Sequence, residues 1–362
     1  MTKRYLWNDG WEFKEVPLET RVETLWKENE GWDPVDVPHD WLIYDAEELY
    51  RDGEGWYRKR FSYETGTIPS EERVSLRFDG VYMNCTVYVN EKRVYDWKYG
   101  YSAFEVDITD ALEEGENTVW VQVRHQSPNS RWYSGAGIYR NVWLVTRPQV
   151  HLASDGVYVH MTEQNGSFYV AVTTEVECGA GTNLGTLSVG DTAGANRGDG
   201  LGALQATGEM NGVKIRHRVL SPEGDVVTSC EGSLLAGKFV ADTQELLVKA
   251  PKRWDIESPV LYTLVTELVK EEAVLDEIRQ AIGFRSLVFT TEQGLFLNGR
   301  RIKLYGVCEH HDLGCLGAAF NKAALRRQFM KLKKMGVNAL RTSHNMPAKE
   351  FMNWRMKWVF WW

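Results

Sequence analysis

No stretch of the 362 residues approaches 18 consecutive apolar side chains, so a membrane-spanning helix is excluded from the expectations for this chain. The first residues, Met1 to Trp11, lack the apolar core of a secretion signal, and a cytoplasmic location is the default. Basic clusters are missing too. With a net charge of -8, nucleic acid and anionic membrane surfaces are not expected as partners. Cysteine is sparse: Cys85, Cys178, Cys230, Cys308 and Cys315 show no Cys-x-x-Cys spacing, which implies reduced thiols rather than a disulfide framework or a zinc site. No metal-ligand set or cofactor fingerprint stands out, so no metal and no cofactor is expected. The oligomeric state is not legible. What is present is the composition of a globular protein, 43% hydrophobic and 25% charged, long enough for two or three domains.

Residues 1–148 read as all-β. Val74 to Phe78, Cys85 to Val89 and Thr118 to Val123 are short runs rich in β-branched and aromatic residues, separated by turn signals such as Asp79-Gly80, Asn90 and Glu114 to Asn117. That rhythm belongs to a sandwich or jelly roll. Residues 149–285 continue in β, with strands expected at Phe168 to Val176, Lys214 to Val219 and Leu261 to Glu267 and a turn at Ser221 to Asp225. Gly179 to Gly212 interrupts this run with many glycines and few large apolar residues, the composition of a disordered insertion.

From residue 286 the pattern changes. Arg301 to Val307 reads as a strand, Lys322 to Met335 as an amphipathic helix stopped by Gly336, Val337 to Arg341 as a second strand, and Ala348 opens another helix. An apolar strand ending in Arg341 and His344 after such a helix is a step of a β/α barrel, where side chains at the carboxyl ends of the strands line the active site. Two strands of eight cannot close one.

The run Arg341, Thr342, Ser343, His344 and Pro347 resembles the second-strand signature of glycoside hydrolase family 2, the family of β-galactosidases, β-glucuronidases and β-mannosidases. Further phrases resemble the family in the family's order. They are Val37 to Trp41, Gly55 to Arg58, Ser130 to Tyr133, Gly135 to Arg140, Phe296 to Arg300, and Gly306 to Asp312 with Cys308 at a usual Asn. The resemblance implies a jelly-roll sugar-binding domain (1–148), an immunoglobulin-like β-sandwich (149–285) and the start of a truncated (β/α)8 barrel (286–362).

It also implies a retaining β-glycosidase of the β-galactosidase type, acting on carbohydrate with two Glu residues carried by later strands. No catalytic residue is therefore assigned within these 362 residues. His310 and His344 are expected to contact sugar hydroxyls and Arg341 to hold the nucleophile's carboxylate, while His311 reads as structural. Arg131 and Trp132, on a loop that in the family reaches the barrel mouth, are further substrate-binding candidates. The many other Trp and Tyr residues, Trp41, Trp56, Tyr82 and Trp97 among them, read as core. A non-catalytic pair of carbohydrate-binding modules is the alternative.

Asn353 to Trp362 holds four of the 15 tryptophans without helix or strand period. Restoring one G after the codon of Met352 regroups it into a helix end, a glycine cap and an apolar strand, so a reading-frame error is expected there.

Overall fold

The computed structural model describes residues 1–64, 72–178, 212–233 and 242–358. Nearly all of the glycine-rich segment, 179–211, lies outside the described residues, and so do 359–362. The chain divides into two compact units. One comprises Met1–Thr2 and Arg147–Lys303, the other Lys3–Thr146 and Leu304–Trp362.

In the first unit, a three-stranded sheet (Val150–Gln164, Ser167–Cys178, Asp242–Val248) and a four-stranded sheet (Val226–Ser233, Val213–Leu220, Tyr262–Lys270, Ala273–Ile282) are antiparallel throughout. The strand Val213–Leu220 shows why: Val213, Ile215, His217 and Val219 are buried while the intervening side chains are more exposed, the period of two that a half-buried strand requires. Phe168, Val170, Val172, Val219, Leu246, Leu264 and Phe284 form the core. The sandwich expected from sequence is present. Buried Glu267 accepts from Arg216 and Arg218, which satisfies a carboxylate that burial alone would penalise.

The same unit holds a small hairpin sheet, Leu287–Thr290, Gly294–Leu297 and Arg300–Arg301. This corrects the expected barrel strand at Arg301 to Val307. Asn298 and Gly299 adopt positive φ (53° and 78°), and Arg300 and Arg301 turn back to pair with Leu297 and Phe296. A tight Asn-Gly turn favours that local pairing over a longer strand.

In the second unit, a six-stranded antiparallel sheet runs in the order Asp33–Val35, Trp11–Val16, Gly53–Tyr63, Gly115–His125, Cys85–Val89, Lys92–Trp97. A four-stranded sheet, Lys3–Leu6, Val142–Pro148, Glu72–Phe78 and Phe104–Asp107, completes the sandwich. Trp41, Tyr57, Leu76, Phe78, Val87 and Val121 are buried in the core, and Trp56 and Tyr82 are buried in smaller clusters beside it.

The barrel segment of this unit has two parallel strands, Gly306–Cys308 and Ala339–Arg341, paired Gly306 to Ala339, Val307 to Leu340 and Cys308 to Arg341. The helix Lys322–Lys334 connects them, capped by the Asn321 side chain, which accepts from the Ala324 N–H at 2.9 Å, and ended by Gly336 at φ 80°. Leu325 and Phe329 of this helix pack on Leu340 and Phe351. The last helix, Lys349–Trp358, runs into the segment expected to lack a period. No Pro or Gly interrupts residues 349–358, so the backbone there accommodates a helix.

His39 makes a pH-dependent contribution to this unit. Its Nδ1 lies 2.7 Å from the Tyr57 hydroxyl and its Nε2 2.6 Å from that of Tyr44, and burial lowers its pKa to about 4. Folding favours the neutral ring. The stabilisation is thus complete above the unfolded value of 6.5 and is lost as pH falls from 6.5 toward 4, at up to about 1.4 kcal/mol per pH unit. Urea midpoints at pH 7.5 and 5.0 should converge between the native chain and His39→Gln as pH drops. A difference independent of pH would contradict this.

Candidate functional site

The carboxyl ends of the two parallel strands gather the residues of interest. Cys308 and Arg341 are register partners, and Arg341 Nη1 approaches Cys308 Sγ at 3.8 Å. The Glu309 N–H donates to the Arg341 carbonyl at 2.8 Å, which carries the pairing one residue past the strand and presents His310 beside the second strand's end. His344 follows Arg341 in a turn closed by Asn345 N–H to the Thr342 carbonyl, 3.3 Å, and itself takes φ 82°. Its ring centroid is 6.0 Å from that of His310.

Arg341 and His344 are both exposed, although the strand that leads to them is buried at Ala339 and Leu340 and Ser343 between them is buried too. They line an open cavity of about 1040 Å³ together with Cys308, Thr342 and Met346. His310 Nδ1 and Ser343 Oγ are buried with no hydrogen-bond partner among the described residues, and both residues line a second cavity. Burial lowers the His310 pKa; His344 and Arg341 push the same way, against Asp312. Its neutral ring can both donate and accept, as contact with hydroxyls requires.

Burial and the neighbouring Asp312 carboxylate push Glu309 up to about 7. His311 lines the same second cavity as His310 and Ser343. Its Nε2 is 2.9 Å from the Ser134 carbonyl and its ring packs edge-on against Tyr101 and Tyr139.

The jelly-roll loop reaches the same place through Trp132. Its ring stacks on His310 (centroids 4.1 Å apart, 15° between planes) and its Nε1 donates to Asp312 Oδ1 at 2.8 Å. Arg131 does not join the cluster. It is exposed and lines a separate cavity of about 310 Å³ with Tyr50, Asn129, Ser130 and Trp132.

Asp40, which the sequence flagged only within a family phrase, holds loop and barrel together. Its carboxylate is 1% exposed. Oδ1 accepts from the N–H of Leu42 (3.2 Å) and Ala136 (2.9 Å), Oδ2 from the Tyr133 hydroxyl (2.5 Å) and the Ala318 N–H (2.8 Å). A Cβ on Gly135 or Gly317 would lie 2.6 or 2.3 Å from that Oδ2, so both glycines are needed for the approach. Arg140 adds a second tie, donating to the carbonyls of Tyr101 and Met346 at 3.1 and 2.7 Å. No group of three metal-ligating side chains occurs among the described residues, and no helix among them is long and apolar enough to cross a membrane.

A jelly roll and a β-sandwich carried with the opening strands of a β/α barrel, and histidines at the strand ends, define the architecture of a multidomain glycosidase. Residues 32–148 match the sugar-binding domain of glycosyl hydrolases family 2, residues 203–285 a further domain of that family, and residues 288–361 its TIM barrel domain. The chain belongs to glycoside hydrolase family 2.

It is 37% identical over 334 residues to the β-galactosidase BoGH2A of Bacteroides ovatus, an alignment covering 89% of this chain and 36% of that protein. A β-glucuronidase of Bacteroides fragilis is 29% identical over 87% of this chain and 44% of its own length. The crystal structure of a family 2 member from Bacteroides cellulosilyticus superposes with a TM-score of 0.81 at 30% identity, over 99% of this chain and 47% of the other. The chain thus spans between about a third and a half of the proteins it matches.

Proposed function

We propose that this chain supplies the sugar-contacting part of a retaining β-glycosidase of the β-galactosidase or β-glucuronidase type, its two catalytic carboxylates lying on barrel strands outside these 362 residues. The observation that carries the reading is the pair of rings His310 and His344, 6.0 Å apart at the ends of adjacent parallel strands, with Arg341 ending the second strand opposite Cys308. In this reading His310 and His344 bond sugar hydroxyls. Trp132 covers His310 and fixes its plane. Arg341 reaches the open cavity, where a guanidinium beside a carboxylate nucleophile holds it ionised and oriented. The substrate is a carbohydrate, and the named relatives support a β-galactoside or β-glucuronide.

The test is a chimera that joins residues 1–352 to the remaining barrel of the Bacteroides ovatus relative. It should hydrolyse a nitrophenyl β-glycoside with retention at the anomeric carbon. Arg341→Ala should lower kcat more than it raises KM, because orienting a nucleophile acts mainly on the transition state. His344→Ala should move both. A folded chimera that inverts configuration, or in which Arg341→Ala is silent, would overturn the proposal.

A further inference from the structure

We infer that the cavity on the outer side of Trp132 is a second sugar subsite, built by the jelly roll and suited to a sugar residue that carries a carboxylate or another anionic group. The inference rests on the reading of the barrel mouth as a glycoside site. Its residues are Tyr50, Asn129, Ser130, Arg131, Trp132 and Ser134, none of which comes from the barrel segment. The volume of about 310 Å³ falls at the lower end of small-ligand sites.

Three observations converge. Tyr50 and Trp132 are large aromatics left 59% and 47% exposed, whereas the other Trp side chains described in this unit are buried or half-buried, and aromatic faces are what the C–H faces of sugars pack on. Both are held in place. Tyr50 meets Tyr133 edge-on at 6.2 Å, and Trp132 is pinned from behind by His310 and Asp312. A rigid ring loses little entropy on binding.

The floor is polar and already satisfied. His125 Nδ1 lies 2.7 Å from the Arg51 carbonyl and Nε2 3.1 Å from Ser134 Oγ, while the Tyr101 hydroxyl donates to Ser130 Oγ at 3.1 Å. Burial lowers the His125 pKa, so it adds no charge. Arg131 is then the single charged side chain lining the cavity, and among the described residues its guanidinium makes no ion pair or hydrogen bond. A guanidinium fork that no protein carboxylate occupies is matched by a carboxylate or sulfate on the ligand.

Trp132 links the two sites. It stacks on His310 of the barrel mouth and also lines the outer cavity, so a sugar bound at the mouth and one in the cavity are neighbours along one oligosaccharide. The outer subsite would select the residue attached to the cleaved sugar.

The test is ligand-observed NMR on the full 362-residue chain with three probes: methyl β-galactoside, the neutral disaccharide lactose, and the same disaccharide with its glucose residue oxidised to glucuronic acid, which places the carboxylate on the residue attached to the galactose. The acidic disaccharide should bind at least tenfold more tightly than the neutral one at low salt, and the gap should close in 0.5 M NaCl. Arg131→Ala should abolish the gap. Tyr50→Ala should weaken both disaccharides and leave the methyl glycoside unchanged. Both side chains are exposed, so neither variant should perturb folding. Equal binding of the two disaccharides, or an unchanged gap in Arg131→Ala, would overturn the subsite alone. Loss of methyl galactoside binding in His344→Ala supports the barrel-mouth reading independently, and absence of all binding to the native chain would sink both.

Discussion

Replacing Asp40 by Ala should destabilise the unit that holds the candidate site by about 3–5 kcal/mol, a large part of what a domain has. The carboxylate is 1% exposed and serves four donors, all of which are left without an acceptor when it goes: the N–H groups of Leu42, Ala136 and Ala318 and the Tyr133 hydroxyl. The variant should also release the loop around Ala318, so amide exchange there should accelerate beyond the global loss. Asp40→Asn tests charge against shape. Its NH₂ can replace only one oxygen, and whichever it replaces faces two donors, so an intermediate loss is expected. Urea midpoints and hydrogen exchange check both variants. A loss below about 1 kcal/mol in Asp40→Ala would mean that water or a rearranged loop satisfies those donors as well.

Glu309 opposes His39 in the pH dependence of the same unit. Its folded pKa is raised to about 7, so the ionised form is disfavoured by folding and stability declines as pH rises from about 4.5 to 7. Native and Glu309→Gln chains should therefore differ most above pH 7, with the variant the more stable. Denaturant midpoints at pH 5 and 8 read this directly. A variant no more stable at pH 8 than at pH 5, relative to the native chain, would remove the effect.

Strands rich in β-branched residues and bounded by turn signals were legible from sequence. Cys85–Val89 coincides with its expectation, and Val213–Leu220 differs by one residue at each end, because buried and exposed positions alternate along it. The first barrel strand was not. Arg301 to Val307 has strand composition, but Asn298-Gly299 is itself a hairpin signal, and the local pairing of Arg300 and Arg301 leaves only Gly306–Cys308 for the barrel.

His310, Arg341, His344 and Trp132 were all named through the family resemblance, but the stacking of Trp132 on His310, across a separation of 178 residues, is legible only in the fold. Asp40 was missed as a functional support. A buried carboxylate with only neutral donors leaves no charge pattern in sequence, and its partners at Tyr133, Ala136 and Ala318 are 93, 96 and 278 residues away.

The purified 1–362 chain should release no nitrophenol from a β-galactoside or β-glucuronide above the blank, at least a millionfold below an active enzyme of this class. Retaining hydrolysis needs two carboxyl groups about 5–5.5 Å apart on either side of the scissile bond, one as acid/base and one as nucleophile. Among the described residues, Glu309 and Asp312 are the carboxyl groups that follow the strand ends at the barrel mouth. Both lie on the loop after the first strand, and Asp312 is engaged by the Trp132 indole at 2.8 Å. Two groups on one loop cannot address opposite faces of a sugar. Arg341 and His344 can bind and orient, yet removing the paired carboxylates removes the steps they perform. The chimera carrying the remaining strands should be active under the same conditions, which separates missing chemistry from misfolding. Turnover by a preparation of 1–362 free of host glycosidase would contradict the expectation, and its disappearance in Glu309→Gln would then identify Glu309 as the acid.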